Sequence, residues 1–266
     1  MPSPSGVTYE AARPLGSLEH WYSQLLVKER GILYEDPHLQ VGVQNRYSRS
    51  TGQLVLFLGN KHPEASLLPL QLRLSGPVPG LSITLGPAPQ SLTPKQQVQV
   101  VLQLVSAAPF QGPPCLQLTY AVAGTAPVAV ELRLPVLAHK FVVPEPAIPK
   151  EMFFEQWKAS STPPYKCQEM VERASPASIA TVGAVTRLAN LGVEHGYLDP
   201  SPCNEAGAGY FCYASNAGEQ TVLVMARIEG NPQNMAQFRV TVVSQAPQVS
   251  AQLKDLIVSH LKLAPT

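Results

Sequence analysis

Large rings are scarce in this sequence. It has two tryptophans, Trp21 and Trp157, and aromatic residues make up 7% of it, so a stretch that gathers three rings within five residues, Phe153, Phe154 and Trp157, calls for a reason. Charge of one sign is equally lacking in excess. Lys plus Arg number 19 against 18 Asp plus Glu, which excludes the broad field by which a chain concentrates nucleic acid or an anionic membrane. The four cysteines, Cys115, Cys167, Cys203 and Cys212, include no Cys-x-x-Cys pair and no regular framework. That argues against a structural zinc or a disulfide scaffold and suits free thiols in a reducing cytosol. No apolar run approaches the roughly 20 residues of a bilayer span, and the opening MPSPSGVTYE has no apolar signal region. The expectation is a cytosolic protein.

Signatures of catalysis are missing too. The sequence has no Gly-x-Ser-x-Gly elbow, no phosphate-binding loop with Lys-Ser/Thr and no Gly-x-Gly-x-x-Gly opening a helix. The histidines at 20, 38, 62, 139, 195 and 260 are scattered, without metal-ligand spacing. His195, near Asp199 and Tyr210, is the most suggestive of them, but an isolated His beside a turn is ordinarily a turn or surface residue. With Asp only at 36, 199 and 255, a paired-carboxylate mechanism would have to lean on Glu, and no such pair stands out. No catalytic residue, metal ligand or cofactor is assigned.

What the chain does have is regular β patterning. With 266 residues it can bury two cores. Residues 1–16 are small, polar and Pro-containing and read as a flexible linker. From 17 to 140, runs such as LQVGVQNRY, QLVLFLG, LLPLQLRL, QVQVVLQLV and CLQLTYAVAG alternate between clusters such as SGPVPG and GPAPQSLTPK. About seven strands at this spacing predict an all-β, immunoglobulin-like antiparallel sandwich. The three prolines of AHKFVVPEPAIPK mark a joint. Beyond it, 141–266 mixes patterns. KEMFFEQWKAS and KCQEMVERA read as short helices, SIATVGAVTRLA is ambiguous, and GAGYFCYAS, QTVLVMARIE and AQFRVTVVS read as strands. Val249, Leu253, Leu256, Ile257 and Leu261 share one face of a closing helix. The expectation is an α+β platform, an antiparallel sheet flanked by helices.

On a helix, Phe153 and Phe154 both neighbour Trp157, at i+4 and i+3. The plain reading of this ridge is that it docks on the sheet. The alternative is that one ring is left for a partner.

The segments LRLPVLAHKF and FFEQWK across the Pro-rich joint, with GILYEDPHLQVGVQNRY and LFLGNK upstream and ARIEGNPQNMAQFRVT downstream, resemble the C-terminal appendage of alpha-adaptin, the large subunit of the endocytic clathrin adaptor. The similarity runs in matching order over about residues 17–262. It implies a sandwich followed by a platform, and a non-catalytic module that recruits endocytic accessory proteins to clathrin-coated pits. In that family the platform receives Asp-Pro-Phe, Asp-Pro-Trp or Phe-x-Asp-x-Phe segments, and the matching positions here are Phe154, Trp157, Arg227, Glu229 and Arg239. A further Arg of the family is Val243 here, which would thin the basic rim. The resemblance also implies a sandwich site for Trp-x-x-Phe segments at Gly42, Phe57 and Gln97, with Gln44 and Glu29 where the family has Lys and Asn. Implied partners are epsin-like and amphiphysin-like proteins with disordered segments, and other adaptor subunits through a trunk outside this sequence. Nucleic acid is not among them, and membrane contact would be indirect, at the cytoplasmic side of coated pits. The doubled Phe favours alpha over a beta-adaptin or COPI gamma appendage. An enzyme of unrecognised chemistry is the reading from another class.

Overall fold

The computed structural model describes residues 9–264. The N-terminal half opens with a two-residue strand, β1 (Glu10–Ala11), and a helix, α1 (Leu18–Val27). Ser17 caps α1 by accepting from the His20 N–H at 3.2 Å, and Tyr22, Leu25 and Leu26 turn toward the core. Eight strands follow: β2 (Arg30–Glu35), β3 (Leu39–Ser48), β4 (Thr51–Asn60), β5 (Leu67–Ser75), β6 (Leu81–Leu85), β7 (Gln97–Ser106), β8 (Cys115–Val122) and β9 (Val128–Arg133). They make two sheets, ordered β2-β3-β4-β7-β6 and β1-β9-β8-β5. In β4 the leucines at 54, 56 and 58 are fully buried while Gln53, Val55 and Phe57 face away. Leu116, Leu118 and Tyr120 of β8 do the same from the opposite sheet, so the inner rows meet in one core and form the expected sandwich.

Two features of this half depart from the sequence reading. Helix α1 has helical apolar spacing at 18, 22, 25 and 26 but is only one strand-length of pattern long, and it was not anticipated. Part of the stretch read as linker is strand: Glu10 and Ala11 pair in parallel with Val128 and Ala129 of β9. The reason is not local. An edge strand offers unpaired N–H and C=O groups that a polar segment can satisfy. Residues 12–16 of that linker are neither helix nor strand, and residues 1–8 lie outside the described residues.

The second half is built on one antiparallel sheet. Its strands are β10 (Val142–Pro144), β11 (Lys166–Glu172), β12 (Asn204–Ser215), β13 (Gly218–Gly230) and β14 (Gln237–Ser244), ordered β10-β12-β13-β14-β11. Gly218, with φ +100°, closes the tight turn between β12 and β13, where an L side chain would be strained. Helices α3 (Ile179–Leu188) and α4 (Pro247–Leu263) cover one face and α2 (Lys150–Ala159) the other. KCQEMVERA is therefore not a helix: Lys166–Glu172 pairs along its length with β14. Only Val171 in that segment is buried, so its own periodicity is too weak to specify either state, and the exposed ladder of β14 decides.

The two halves share one apolar core through the joint. Phe141, at the end of a 3-10 turn (Ala138–Phe141), packs edge-on against Tyr47 of β3, with ring centres 5.2 Å apart, and against Phe110 at 5.7 Å. Phe110 in turn lies 6.4 Å from Phe211 of β12. His139 is buried with Nε2 2.7 Å from the Leu26 carbonyl, and burial presses its pKa down to about 3, so the ring is neutral and donates that bond. Gln252 of α4 accepts from the Ala138 N–H at 3.2 Å and donates to the Phe110 carbonyl.

Because Phe141 is fully buried between the halves, Phe141→Ala should cost about 3–5 kcal/mol and lower the stability of both halves together. Trp21 reports on the sandwich and Trp157 on the platform. In Trp157→Phe and Trp21→Phe variants, each with one remaining indole, urea unfolding followed by fluorescence should give coincident midpoints, and the Phe141→Ala change should shift them equally. Separate midpoints would mean that the halves are held independently.

Candidate functional site

The ladders of β11, β14, β13 and β12 place side chains of one sheet face in rows. Val243 pairs with Met225 and Lys166, and Met225 with Ala208. Two residues along, Thr241 pairs with Arg227 and Gln168, and Arg227 with Ala206. Two further, Arg239 pairs with Glu229 and Met170, and Glu229 with Asn204. Apart from Lys166 at its edge, the first row is apolar, and it is roofed by α2. Phe153, Ile148, Leu198, Ala206, Ala208, Met225 and Val243 form a small core there, with Trp157 packed against it. The other two rows carry the charges.

Helix α2 divides the aromatic ridge. Phe153 is 1% exposed and Phe154 is 50% exposed, while Trp157 is half-buried and stacks on Phe153 at 5.6 Å. The ridge thus both docks on the sheet, through Phe153, and leaves a ring over, Phe154. Met170, on edge strand β11, is 65% exposed and neighbours Arg239 on the same sheet face. It was missed in sequence because its orientation follows only from β11 being a strand.

The charges form one network with two acids and two bases. Arg239 donates from Nε and Nη2 to the two oxygens of Glu229, both at 2.7 Å. Arg227 Nη1 lies 3.3 Å from Glu229 Oε1, and its Nε donates to Asp199 Oδ2 at 2.6 Å. Asp199 also accepts from Asn204 Nδ2 at 3.0 Å and the Ser201 N–H at 3.1 Å. Burial works against ionisation of Asp199, but the bonds from Arg227, Ser201 and Asn204 outweigh it, so its carboxyl sits below the ordinary range. Arg239 holds the Glu229 carboxyl low in the same way, against partial desolvation. Asp199 is the residue that sequence reasoning misplaced beside His195. His195 Nδ1 instead lies 3.3 Å from Glu205 Oε2, and Asp199 serves Arg227. Val243 is not on a rim at all. It is fully buried under α2, where it touches apolar neighbours and leaves the charge of the outer rows unchanged.

On the sandwich, Gly42 pairs with Phe57, Phe57 with Gln99, and Gly59 with Gln97. Gly42, Phe57 and Gln97 therefore share the outer face of β3, β4 and β7. Phe57 is half-buried there, not a core residue, and a Cβ at position 42 would stand 3.5 Å from its Cβ. The glycine bares one flank of the ring. Gln44 follows Gly42 on the same face, and Glu29 lies exposed just before β2. Among the described residues no group of three or more His, Cys, Asp or Glu side chains is placed to hold a metal, and no helix is long and apolar enough to cross a membrane.

A sandwich joined through a shared core to a helix-roofed sheet is the architecture of an adaptor appendage. The family described as "Adaptin C-terminal domain" matches residues 29–135, and that described as "Alpha adaptin AP2, C-terminal domain" matches residues 140–261. The chain is 34% identical over 253 residues to AP-2 complex subunit alpha-2 of Arabidopsis thaliana, covering 94% of this chain and 24% of that one. It is 32% identical over 250 residues to AP-2 complex subunit alpha-2 of Dictyostelium discoideum, covering 91% and 24%. Among solved structures, the GAE domain of GGA2p from Saccharomyces cerevisiae is similar over 41% of this chain and 100% of that one, with 19% identity and a TM-score of 0.34, too slight a likeness to carry argument. The chain belongs to the alpha-adaptin C-terminal appendage family, and it spans about a quarter of the length of the curated relatives it matches.

Asp199→Asn keeps the shape of the side chain and removes the charge that holds Arg227, which should cost about 1–3 kcal/mol at pH 7. A carboxyl whose folded pKa is depressed stabilises above its unfolded pKa and loses that contribution as pH falls through the folded one. The gap between wild type and variant in urea titrations should thus narrow below about pH 4. A gap that stays constant down to pH 3 would mean that the Asp199 charge contributes nothing.

Proposed function

We propose that this chain is a non-catalytic recruitment module of a clathrin adaptor, which captures short Asp-Pro-Phe, Asp-Pro-Trp or Phe-x-Asp-x-Phe segments of disordered endocytic accessory proteins, epsin-like and amphiphysin-like, at coated pits. The observation that carries this reading is the exposed Phe154 on the same helix as the half-buried Trp157, which packs on the small core containing Met225 and Val243, with Arg227 one row further along that sheet face. A ligand ring set against these two gains apolar burial plus aromatic geometry, about 0.5–1.5 kcal/mol beyond area alone. Family membership supports the same reading. Location at the cytoplasmic face of the plasma membrane, contact with other adaptor subunits through the rest of a longer subunit, and a second Trp-x-x-Phe site at Gly42, Phe57 and Gln97 belong to the proposal as well.

The network sets how a ligand carboxylate can enter. Both donors that Arg239 turns to Glu229 are occupied, and Arg227 spends Nε on Asp199. Arg239 keeps its Nη1 donors and Arg227 its Nη2 donors without a partner among the described residues, so an incoming Asp can meet either guanidinium, and Glu229 acts chiefly by fixing both arginines. A motif of three to five residues that must be ordered on binding reaches only micromolar affinity. Several motifs on one chain and several modules on one membrane patch would raise the apparent affinity by about 10²–10⁴.

Phe154 is the cleaner probe, because Trp157→Ala also removes part of the small core under α2. Phe154→Ala should leave urea stability within about 0.5 kcal/mol of wild type and weaken a labelled Asp-Pro-Phe peptide roughly 20-fold or more. Arg227→Glu should abolish binding of the Asp peptide, by setting the introduced carboxylate beside those of Glu229 and Asp199 against that of the ligand. Calorimetric titration reads both. Unchanged affinity in Phe154→Ala and Arg227→Glu would sink the assignment of this face.

A further inference from the structure

A cleft of about 500 Å³ lies between the sandwich and the platform, where the end of β3 faces β10. Its size falls in the range of roughly 300–1,000 Å³ typical of sites for small ligands, enough for a few residues of chain and no more. Pairing of β2 with β3 stops at Arg30 opposite Gln44, with one further bond from the Asn45 N–H to the Glu29 carbonyl at 2.7 Å. Main-chain groups of a strand alternate sides with period two, so those of Tyr47 point the same way as those of Asn45, into the cleft, where no strand meets them. On the opposite wall β10 is an edge strand, paired with β12 alone.

The cleft also carries unspent polar groups. Arg46, Arg49 and Lys140 line it, with Glu29 as the one lining carboxylate. Arg49 is paired with Glu219, whereas Arg46 and Lys140 have no ion-pair partner among the described residues. Against Glu29 alone they leave one positive charge over. The Lys140 ammonium lies 5.9 Å above the ring of Tyr47. Burial lowers the Lys140 pKa to about 8, with Glu29 opposing. That is the environment of an ammonium short of counter-charge.

We propose that this cleft is a separate binding site for an extended peptide segment with one acidic side chain, which runs along the free edge of β3 and sets its carboxylate between Arg46 and Lys140. A single carboxylate matches the single excess charge. A phosphoryl group, which brings between one and two negative charges at neutral pH, would overshoot it. The site shares no residue with the platform face, so it does not depend on the reading of Phe154 and Trp157.

The probe is the peptide acetyl-Thr-Val-Glu-Val-Thr-amide, with its Gln counterpart and inorganic phosphate as comparators, titrated into the ¹⁵N-labelled protein. Expected shifts gather at Arg46 to Arg49, Val142, Val143 and Asn190, while the Trp157 indole signal stays in place. Arg46 is exposed, so Arg46→Gln should fold normally and weaken the Glu peptide about 5-fold; Lys140→Met should do the same or more. The Gln peptide should be weaker by a similar factor on wild type, and Phe154→Ala should leave all of this unchanged, which keeps failure here distinct from failure of the platform reading. Shifts confined to the platform face, no saturable shifts at millimolar peptide, or equal binding in Arg46→Gln would each overturn the proposal. So would phosphate moving the cleft signals when the peptide does not, which would assign the cleft to a free anion.

Discussion

The position of everything else depends on the packing of Phe141. It stands at the joint between the halves, and its ring meets Tyr47 from β3 and Phe110 from the loop after β7, which in turn reaches Phe211 on β12. A fully buried Phe removes a large apolar area from water and prefers edge-on neighbours. That packing joins the cores of the sandwich and the platform. The bonds of Gln252 and His139 then satisfy main-chain groups that this packing has buried. Burial without those bonds would be costly, and the bonds without the burial would be worth little.

The platform face follows from a second constraint, which is that charge on a half-buried sheet must be neutralised on site. Asp199, Arg227, Glu229 and Arg239 achieve this in a chain of bonds across a strand pair and one loop. The result is a stiff, nearly neutral surface on which both arginines keep outward N–H donors, beside a row of largely apolar side chains under α2. The proposed ligand, which brings a ring and one carboxylate at close spacing, would match such a surface. Charge excess alone would not supply that selectivity, since it would attract any acidic segment. The cleft at Lys140 differs in kind, because its charge is left unbalanced.

Much of this was legible in the sequence. Period-two runs such as QLVLFLG marked the strands, though the outward turn of Phe57 was left open between core and surface, and the helical spacing from Val249 to Leu261 marked α4. Where burial is strong on one face, periodicity reports it directly. Lys166–Glu172 was misread because Val171 is its only buried residue, and a strand with a single inward anchor takes its state from its neighbour. α1 was passed over because ten residues between a turn and a strand leave little pattern. At the site, FFEQWK was visible as a ridge, and Arg227, Glu229 and Arg239 were visible through resemblance. Asp199 was not connected to them, since Arg227 stands 28 positions further along the chain, beyond a strand and a turn.

By itself, then, the sequence determined the kinds of element and which residues face inward, because hydrophobic alternation is a local property that burial later reads out. Only the tertiary structure decided which ring of the ridge is left outside, that Val243 lies beneath the helix and not on the rim, and that Asp199 turns to Arg227 while His195 turns to Glu205. Each of these depends on strand register and on the docking of α2. Those are set by packing between segments far apart in the chain, where a shift of one residue would exchange every inward side chain for an outward one.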